Sequence, residues 1–423
     1  MLWLYSALLS LAALAALPVA LFLSLRDPDL RRHWGERLGW TPLSPDESPS
    51  PVWIQAASVG EVQVARRVLE EVGKILPGIP VLLSSTTPAG RRLAARSVPE
   101  GSRASFFPLD LPATIRRCLR RVRPRALVLV ETEIWPNLLR ECFLSGVPVI
   151  LANGRISTRS FPRYRRIRSL VAPALEKVDL YCMQSQEDAE RIRALGAPPD
   201  RIQVTGNMKW DLPVPDAPAG PVRRDLGLPE EAPVLVAGST AEGEDEVVLK
   251  AWSVLLDDFP DLRLVLAPRH PQRFEKVARL LATRGIPFAR RSRGPAGASP
   301  VLLLDSVGEL RKVYGAGTVC FVGGSLVSRG GQNLMEPAAA GRPVLFGPRT
   351  ENFADAARSL LEAGAGFRIV DGDSLAAAVR RLLSDSAARE ESGRRGRELV
   401  SRNCGAAERT AGMIAQILRR PEG

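Results

Sequence analysis

Short apolar runs that alternate with longer, helix-like stretches constrain this chain of 423 residues more than any other feature. Such alternation predicts parallel β-strands with helices on both faces of the sheet. A Pro-rich stretch separates two groups of runs, so we predict an α/β fold of two Rossmann-like domains facing a central cleft. The predicted strands are Val52–Ala56, Val81–Ser85, Ala126–Val130, Val147–Leu151 and Leu180–Met183, then Val234–Ala237, Leu262–Ala267, Val301–Leu304, Thr318–Val322 and Val344–Phe346.

Residues 1–25 are mostly Leu and Ala and carry no charged side chain. This length is enough to cross about 30 Å of hydrocarbon as a helix. A cleaved signal peptide is the competing interpretation, but it requires basic residues before the apolar run, and here they follow it. By the positive-inside rule the basic residues that follow the apolar run keep the body of the chain in the cytoplasm.

Composition thus divides the chain into five parts. We predict a transmembrane anchor over 1–25, a basic juxtamembrane segment and linker over 26–51, an N-terminal Rossmann-like domain over 52–211, a linker over 212–221, and a C-terminal Rossmann-like domain over 222–423.

The net charge of +12 favours an anionic partner, and three classes come into question: nucleic acid, anionic lipid or a phosphorylated substrate. Two segments, 116–125 and 155–168, are dense in arginine, and they predict either an anionic lipid surface or simply solvated helix faces. A membrane anchor makes nucleic acid the weaker choice. Five scattered cysteines without a CxxC pair indicate reduced thiols, and two histidines argue against a histidine-based metal site, so we predict no metal and no cofactor.

A glycine-rich run, Gly323–Gly341, lies between two predicted strands. Its glycines allow the backbone to approach a ligand, and a helix predicted to begin near Asn333 offers free N–H groups to a phosphate. Glu336 then stands one turn into that helix, where it can accept hydrogen bonds from sugar hydroxyls. The alternative is that the glycines only permit a tight turn between strand and helix.

Acidic and basic side chains follow several strands of the N-terminal domain. Glu61, just past the first strand, is placed to take a proton from an attacking hydroxyl. Ser58 and Glu61 are also spaced as a capping box, in which Glu61 only binds a backbone N–H, and both interpretations stay open. Glu131 follows the strand Ala126–Val130, and Lys209 is placed to neutralise charge on a leaving group.

Ligand-type residues also follow four strands of the C-terminal domain. Glu244 ends a polar turn after the first strand, and Arg269 after the second can bind a phosphate. Glu309 closes a polar turn after the third strand, and the glycine-rich run follows the fourth. Their shared place at strand ends favours a ligand site over coincidence.

Five motifs together resemble the 3-deoxy-D-manno-octulosonic acid (Kdo) transferases over nearly the whole chain. They are ASVGE (57–61), ETEIWPN (131–137), GNMK (206–209), APRHP (267–271) and GGQNLMEPA (330–338). The resemblance implies the GT-B fold and transfer of Kdo from CMP-Kdo to a lipid A precursor, lipid IVA, at the inner membrane in lipopolysaccharide biosynthesis. It also implies inversion without a metal ion, an acceptor-binding N-terminal domain and a CMP-Kdo-binding C-terminal domain.

The resemblance assigns roles by position. Glu61 matches the general base, and Glu131 and Lys209 match residues that assist the transition state. The matches to the CMP contacts are Pro268, Arg269, Val307, Gly308, Glu309, Asn333, Leu334, Met335 and Glu336. Gln332 and Leu334 depart from the His and Pro that many family members carry, which bears on the detail of donor contact.

Two other functions are compatible with these patterns. One is a different membrane-associated GT-B glycosyltransferase that uses a UDP-sugar and a lipid acceptor. The other is a non-catalytic basic scaffold on a membrane surface, for which the arginine segments are essential and the strand-end acids dispensable.

Overall fold

The structure of the protein, a computed structural model, describes residues 2–26, 31–43, 50–211 and 219–419. These residues form two compact units: the first runs to 211 and includes the residues from 404 onward, and the second covers the described residues up to 403. The predicted C-terminal domain, 222–423, therefore differs from the second unit at its end. The cause is the last helix, Ala406–Leu418, whose apolar side chains join the core of the first unit.

The first unit is built on a parallel sheet, which within the described residues has seven strands in the order β3-β2-β1-β4-β5-β6-β7. Its central strands are buried on both faces, as is typical of parallel sheets covered by helices. The strands are β1 Val52–Gln55, β2 Val81–Ser85, β3 Arg103–Phe106, β4 Ala126–Val130, β5 Val149–Gly154, β6 Leu180–Met183 and β7 Ile202–Val204.

Helices cover both faces of this sheet. The helix Val59–Ile75 begins at the N-cap Ser58 and turns Val62, Ala65 and Val68 toward the sheet, where the last helix also packs. The helices are α1 Leu2–Arg26, α2 Trp34–Arg37, α3 Val59–Ile75, α4 Pro88–Ala95, α5 Pro112–Val122, α6 Pro136–Leu144, α7 Phe161–Arg166, α8 Arg168–Leu175 and α9 Gln186–Leu195, with short 3₁₀ turns at Pro199–Arg201 and Met208–Trp210.

The predicted transmembrane anchor is not supported. The chain does form the helix α1 over Leu2–Arg26. Across the described residues, however, the structure contains no helix with the length and apolar character needed to cross a membrane. The first turns of α1 bond to the first unit, since the Tyr5 hydroxyl donates to Asp110 Oδ2 at 2.9 Å and the Ser6 hydroxyl donates to Asn137 Oδ1 at 2.9 Å.

The described part of the predicted juxtamembrane segment and linker is folded. Glu36 is buried in α2, where its carboxylate accepts two hydrogen bonds of 2.9 Å from Arg91 and one of 2.6 Å from the N–H of Phe106. Leu43 joins the core beneath the sheet. Residues 31–43 thus belong to the first unit, and residues 27–30 and 44–49 lie outside the described part of the chain.

The second unit repeats the architecture. Within the described residues its parallel sheet has seven strands in the order β10-β11-β9-β8-β12-β13-β14. They are β8 Val234–Thr240, β9 Arg263–Pro268, β10 Phe288–Arg290, β11 Val301–Leu303, β12 Val319–Val322, β13 Val344–Phe346 and β14 Gly366–Arg368.

The helices of the second unit alternate with its strands. Residues 212–218 of the predicted linker 212–221 lie outside the described part of the chain, and residues 219–221 instead begin a helix. The helices are α10 Ala219–Leu226, α11 Glu244–Leu255, α12 Phe274–Thr283, α13 Leu310–Tyr314, α14 Met335–Ala339, α15 Ala354–Glu362, α16 Gly372–Ser384 and α17 Ser386–Asn403, followed by the first unit's α18 Ala406–Leu418; 3₁₀ turns lie at Pro271–Arg273, Arg291–Arg293 and Glu351–Phe353.

All ten predicted strands are confirmed, with shifts of a few residues at their ends. Four strands were missed, and each is an edge strand of its sheet: β3, β7, β10 and β14.

Candidate active site

Strands β1 and β4 are neighbours in the first unit, although β2 and β3 lie between them in the chain. The sheet order reverses at this pair, and α/β sheets bind ligands at the carboxyl ends of such strands. Glu61 follows β1, while Glu131 and Glu133 follow β4. The structure therefore brings the two acids predicted for this domain, Glu61 and Glu131, to the same end of one strand pair.

The Glu61 side chain is held at the start of α3. Its carboxylate accepts hydrogen bonds from the Ala57 N–H at 2.7 Å and from the Ser58 hydroxyl at 3.0 Å, while the Glu61 N–H donates to Ser58 Oγ at 3.4 Å. Ser58 thus caps α3, and the Glu61 carboxylate binds a backbone N–H as the capping interpretation expects, although that N–H belongs to Ala57 and not to the N-cap residue. These bonds do not exhaust the side chain, because a carboxylate has about four acceptor positions.

Burial raises the pKa of Glu61 to about 7. The negative charges of Glu133 and Glu131 contribute to this rise, whereas the bonds from Ala57 and Ser58 oppose it because they favour the ionised form. A carboxylate with this pKa accepts a proton readily near neutral pH, as a general base requires.

Glu131 and Lys209 form an ion pair, with 3.1 Å between Oε1 and Nζ. The backbone of Glu131 is left-handed, with a φ of 61°, and that of Asn153 at the end of β5 has a φ of 54°. Such conformations are uncommon for residues other than glycine and concentrate at functional sites. Lys209 itself lies in a 3₁₀ turn, where its N–H donates to Asn207 Oδ1 at 3.0 Å.

The turn that carries Lys209 is fastened to two helices of the first unit. Arg67 of α3 donates to the Met208 carbonyl at 2.7 Å. The Asp211 carboxylate accepts from the N–H groups of Ala406 and Ala407, at 3.1 and 2.6 Å, and so caps α18. The last helix therefore fixes the position of the lysine.

Glu133 is the second acid after β4, and of these two acids only Glu131 was assigned a role from the sequence. Its Oε2 accepts hydrogen bonds from the Trp135 indole N–H at 2.8 Å and from Gln55 Nε2 at 3.2 Å. Burial raises the pKa of Glu133, the two bonds lower it, and the charge of Glu131 raises it again. Its position two residues after Glu131, at the end of the same strand, was the available signal.

The second unit has a comparable strand pair, since β8 and β12 are neighbours with β9, β10 and β11 between them in the chain. The glycine-rich run follows β12. Its N–H groups at Gly324, Ser325 and Leu326 all donate to the buried carboxylate of Glu244, the first residue of α11. These three groups are thus already bonded within the chain.

The helix that follows the glycine-rich run begins at Met335, two residues later than predicted. Asn333 precedes it and bonds to its start, since Asn333 Oδ1 accepts from the Met335 N–H at 3.1 Å and Asn333 Nδ2 donates to Glu336 Oε1 at 3.1 Å.

Comparison with known proteins identifies the family. Residues 32–212 match the family model of the 3-deoxy-D-manno-octulosonic-acid transferases. The chain is 35% identical to the 3-deoxy-D-manno-octulosonic acid transferase of Haemophilus influenzae over 402 residues, which cover 94% of each chain. It is 36% identical to the enzyme of the same name from Bordetella pertussis, over 87% of each chain. The chain belongs to the Kdo transferase family.

Solved structures that resemble this Kdo transferase support the fold assignment. MurG from Acinetobacter baumannii has a TM-score of 0.56 at 14% identity, with 87% of this chain and 100% of that chain covered. The UDP-GlcNAc 2-epimerase of Neisseria meningitidis has a TM-score of 0.53 at 13% identity, with 87% and 99% covered. These similarities confirm the predicted α/β, GT-B-like architecture.

Family membership makes the protein a glycosyltransferase that transfers Kdo in lipopolysaccharide biosynthesis. An enzyme of this family is not a non-catalytic scaffold, so that alternative is wrong as an account of the whole chain.

The residues assigned to CMP contact in this Kdo transferase lie at or just after the end of β9, after β11 or at the start of α14, and they differ in exposure. Arg269, Val307 and Gly308 are exposed, while Glu309 pairs with Arg291 at 2.9 Å. Pro268, Leu334 and Met335 are buried, so a ligand outside the core reaches them through their backbone. Asn333 and Glu336 are partly exposed. Their assignment to the donor stays a prediction.

Proposed function

We propose that this Kdo transferase uses CMP-Kdo as donor and a lipid A precursor, lipid IVA, as acceptor, with Glu61 as the general base of an inverting transfer. The observation that carries the proposal is a carboxylate with a pKa of about 7 at the carboxyl end of β1, beside two further acids that keep its proton affinity high.

In the proposed step Glu61 takes the proton of the acceptor's sugar hydroxyl while that oxygen attacks the anomeric carbon of Kdo. The bond between this carbon and the phosphate oxygen breaks, and CMP leaves with the electron pair. Attack opposite the leaving group inverts the anomeric centre. Glu61 ends protonated and releases the proton to solvent.

Lys209 and Glu131 assist this step in our proposal. The ammonium group of Lys209 is fixed by Glu131 at 3.1 Å and by the turn around it. A cation held in place in this way stabilises negative charge that develops during transfer, without reorganisation at the moment of reaction.

The second unit binds CMP-Kdo in this proposal, through Arg269 and through Asn333 to Glu336. Arg269 is exposed directly after β9, where its own N–H donates to the Thr240 carbonyl at 3.0 Å. A guanidinium group suits a phosphate because its donors match the phosphate oxygens. A nucleoside monophosphate leaving group carries less negative charge than a diphosphate, so in this proposal Arg269 and backbone N–H donors balance it without a metal ion.

We also propose that the enzyme works at the cytoplasmic face of the inner membrane and contacts anionic lipid. Arg163, Arg165 and Arg166 are exposed on α7. Each basic side chain near an anionic surface contributes about 1 kcal/mol of attraction. Replacing the three arginines by Gln should weaken sedimentation of the protein with phosphatidylglycerol vesicles and leave its binding to neutral vesicles unchanged. A variant that binds phosphatidylglycerol vesicles as well as the parent protein does contradicts this part of the proposal.

The test of the proposed reaction compares the wild type with Glu61→Gln, using CMP-Kdo and a tetraacylated lipid A precursor, with the product weighed by mass spectrometry. We expect the wild type to add Kdo mass to the acceptor and the variant to bind CMP normally but to lose transfer. Glu70→Gln, an exposed change on the same helix, is the matched control. Normal turnover of Glu61→Gln reduces Glu61 to a helix cap, and displacement of the donor by UDP but not by CMP favours a UDP-sugar enzyme.

A further inference from the structure

Glu244 carries a buried carboxylate that the proposed reaction does not use. Its side chain is fully buried, and it accepts hydrogen bonds from four backbone N–H groups: Ala241 at 2.7 Å, Gly324 at 2.6 Å, Ser325 at 3.0 Å and Leu326 at 2.9 Å. In the described part of the chain no lysine or arginine pairs with it. A buried carboxylate of this kind is retained only where its hydrogen bonds replace the lost water.

The four donors divide evenly between the two carboxylate oxygens. Oε1 accepts from Ser325 and Leu326, and Oε2 accepts from Gly324 and Ala241. Three of the donors are consecutive residues of the glycine-rich run, so one side chain fixes the direction of three successive peptide groups. Consecutive N–H groups that converge on one point bind anions such as phosphate. Here the anion is supplied by the chain itself.

The backbone around this carboxylate is tightly packed. A Cβ atom at Gly323 would lie 2.6 Å from Thr240 Cα and 2.7 Å from Glu244 Oε2. Gly324 has a φ of 66°, which favours glycine. The loop after β12 therefore closes tightly against the end of β8, with Glu244 between them.

Further bonds connect this closed loop to the residues assigned to the donor. The Gly331 N–H donates to the Gly324 carbonyl at 2.8 Å, and the Arg349 N–H donates to the Ser325 carbonyl at 2.8 Å. Gly331 is followed by Gln332 and Asn333, which begin the predicted CMP contact. The position of Asn333 thus depends on a peptide chain that Glu244 holds at its other end.

We infer that Glu244 is a positioning residue for donor binding: its carboxylate shapes the glycine-rich run so that the segment from Asn333 to Glu336 is presented to the nucleotide. The inference rests on the proposed function, which places CMP at this segment. It also means that the N–H groups of 324–326 are structural, and that the phosphate is bound elsewhere in the second unit.

Glu244→Gln tests the inference because the amide keeps the size of the side chain but removes its charge. Whichever way the amide is turned, its NH₂ group faces two backbone N–H donors, so the loop must move. We expect the affinity for CMP, measured by isothermal titration calorimetry, to fall about ten- to a hundredfold. The KM for CMP-Kdo should rise, while the KM for the lipid acceptor and the midpoint of the pH profile stay as in the wild type.

Glu242→Gln is the matched control, since Glu242 is exposed and lies two residues before Glu244. It should leave the affinity for CMP unchanged. If Glu244→Gln does not fold, Glu244→Asp decides the matter, because it keeps the charge but shortens the reach to the loop, and a folded Glu244→Asp should show the same loss of CMP affinity. A folded variant of either kind with wild-type affinity for CMP overturns the inference, whereas a wild type that does not bind CMP overturns the proposed function instead.

Discussion

The Nζ atom of Lys209 lies 3.1 Å from Oε1 of Glu131, and this ion pair connects two distant strand ends of the first unit. Glu131 follows β4, while Lys209 lies beyond β7, and α18 binds the carboxylate of Asp211, two residues after the lysine. A pair built from such separate elements holds one cation in a defined place. It is therefore better suited to a reaction than a salt bridge between neighbouring side chains.

Replacing Lys209 by Met should lower kcat by about a hundred- to a thousandfold, the usual effect of removing a preorganised donor. Glu131→Gln should lower it too, and the double variant should lose less than the sum, because the two residues act as a pair. Steady-state kinetics on the four proteins gives this cycle. Lys74→Met is the control, because it removes an exposed lysine that pairs with Glu71 at 2.7 Å, and it should change neither kcat nor stability. Strictly additive losses in the cycle of Lys209 and Glu131 would contradict the coupling between these two residues.

The pH dependence of the wild type should report the ionisation of Glu61. A general base works only when ionised, so kcat/KM should rise with pH around a midpoint near 7, the pKa that burial gives this carboxyl. At pH 6 the activity should be about a tenth of its value at pH 8. A rate independent of pH between 6 and 8 would show that another group takes the proton.

The same carboxylate should cost stability at high pH. Glu61 ionises at 4.5 in the unfolded chain and at about 7 in the folded protein, so the folded wild type loses stability as the pH rises through this interval. Glu61→Gln cannot ionise and escapes this loss. Relative to the wild type it should gain about 1–2 kcal/mol between pH 4.5 and pH 8.5, less than the full shift implies because solvent screens a partly exposed group.

Urea unfolding of both proteins at the two pH values measures this difference. Glu70→Gln removes an exposed carboxylate from the same helix and should give the same offset from the wild type at both. If the free energy of unfolding of Glu61→Gln, relative to that of the wild type, is lower at pH 8.5 than at pH 4.5, the assignment of a raised pKa is refuted.

Asp211 should matter for both stability and activity. Its carboxylate accepts the first two free N–H groups of α18, and its own chain position is two residues after Lys209. Asp211→Ala removes this cap and should lower the free energy of unfolding by about 1–2 kcal/mol. Because the turn around Lys209 loosens, kcat should also fall in the folded variant; unchanged kcat at lowered stability would restrict Asp211 to capping.

The central strands of both sheets could be predicted from the sequence, because strands buried on both faces are continuous apolar runs such as Ala126–Val130. The four edge strands could not. Arg103–Phe106 and Phe288–Arg290 each contain an arginine and span only four and three residues. An edge strand has one open side, so its sequence carries polar residues and little apolar signal.

Residues at strand ends could be predicted in the same way, since the alternation of strands and helices places them at one end of each sheet. Glu61 and Glu131 were located by that logic, whereas Lys209 follows β7, a strand that was not predicted. The sequence does not contain the pairing of Glu131 with Lys209, because it depends on how β7 and α18 pack. Nor does the sequence separate the role of Glu244 from that of Glu61, because both residues follow the first strand of their unit.

These two glutamates differ in what surrounds them. Glu244 is fully buried and receives four backbone N–H groups, so all its acceptor positions are used inside the fold. Glu61 receives one N–H and one hydroxyl and keeps acceptor positions open. Similar positions after the first strand thus differ in what they offer: the Glu61 carboxylate keeps acceptor positions open, as the proposed general base requires, and the Glu244 carboxylate holds the backbone of its own unit.

Glu133 allows a last test of the electrostatics around Glu61. Its negative charge raises the pKa of Glu61, so Glu133→Gln should lower that pKa and move the acid limb of the kcat/KM profile to lower pH. The geometry should survive, because the carbonyl oxygen of Gln can accept the same bonds from Trp135 and Gln55. At pH 6 the variant should therefore reach a larger fraction of its own plateau value of kcat/KM than the wild type reaches of its plateau. At pH 8.5 the two proteins should be equal. A profile that stays in place would mean that Glu133 does not act on Glu61, and loss of activity at every pH would mean that Glu133 contacts the substrate directly.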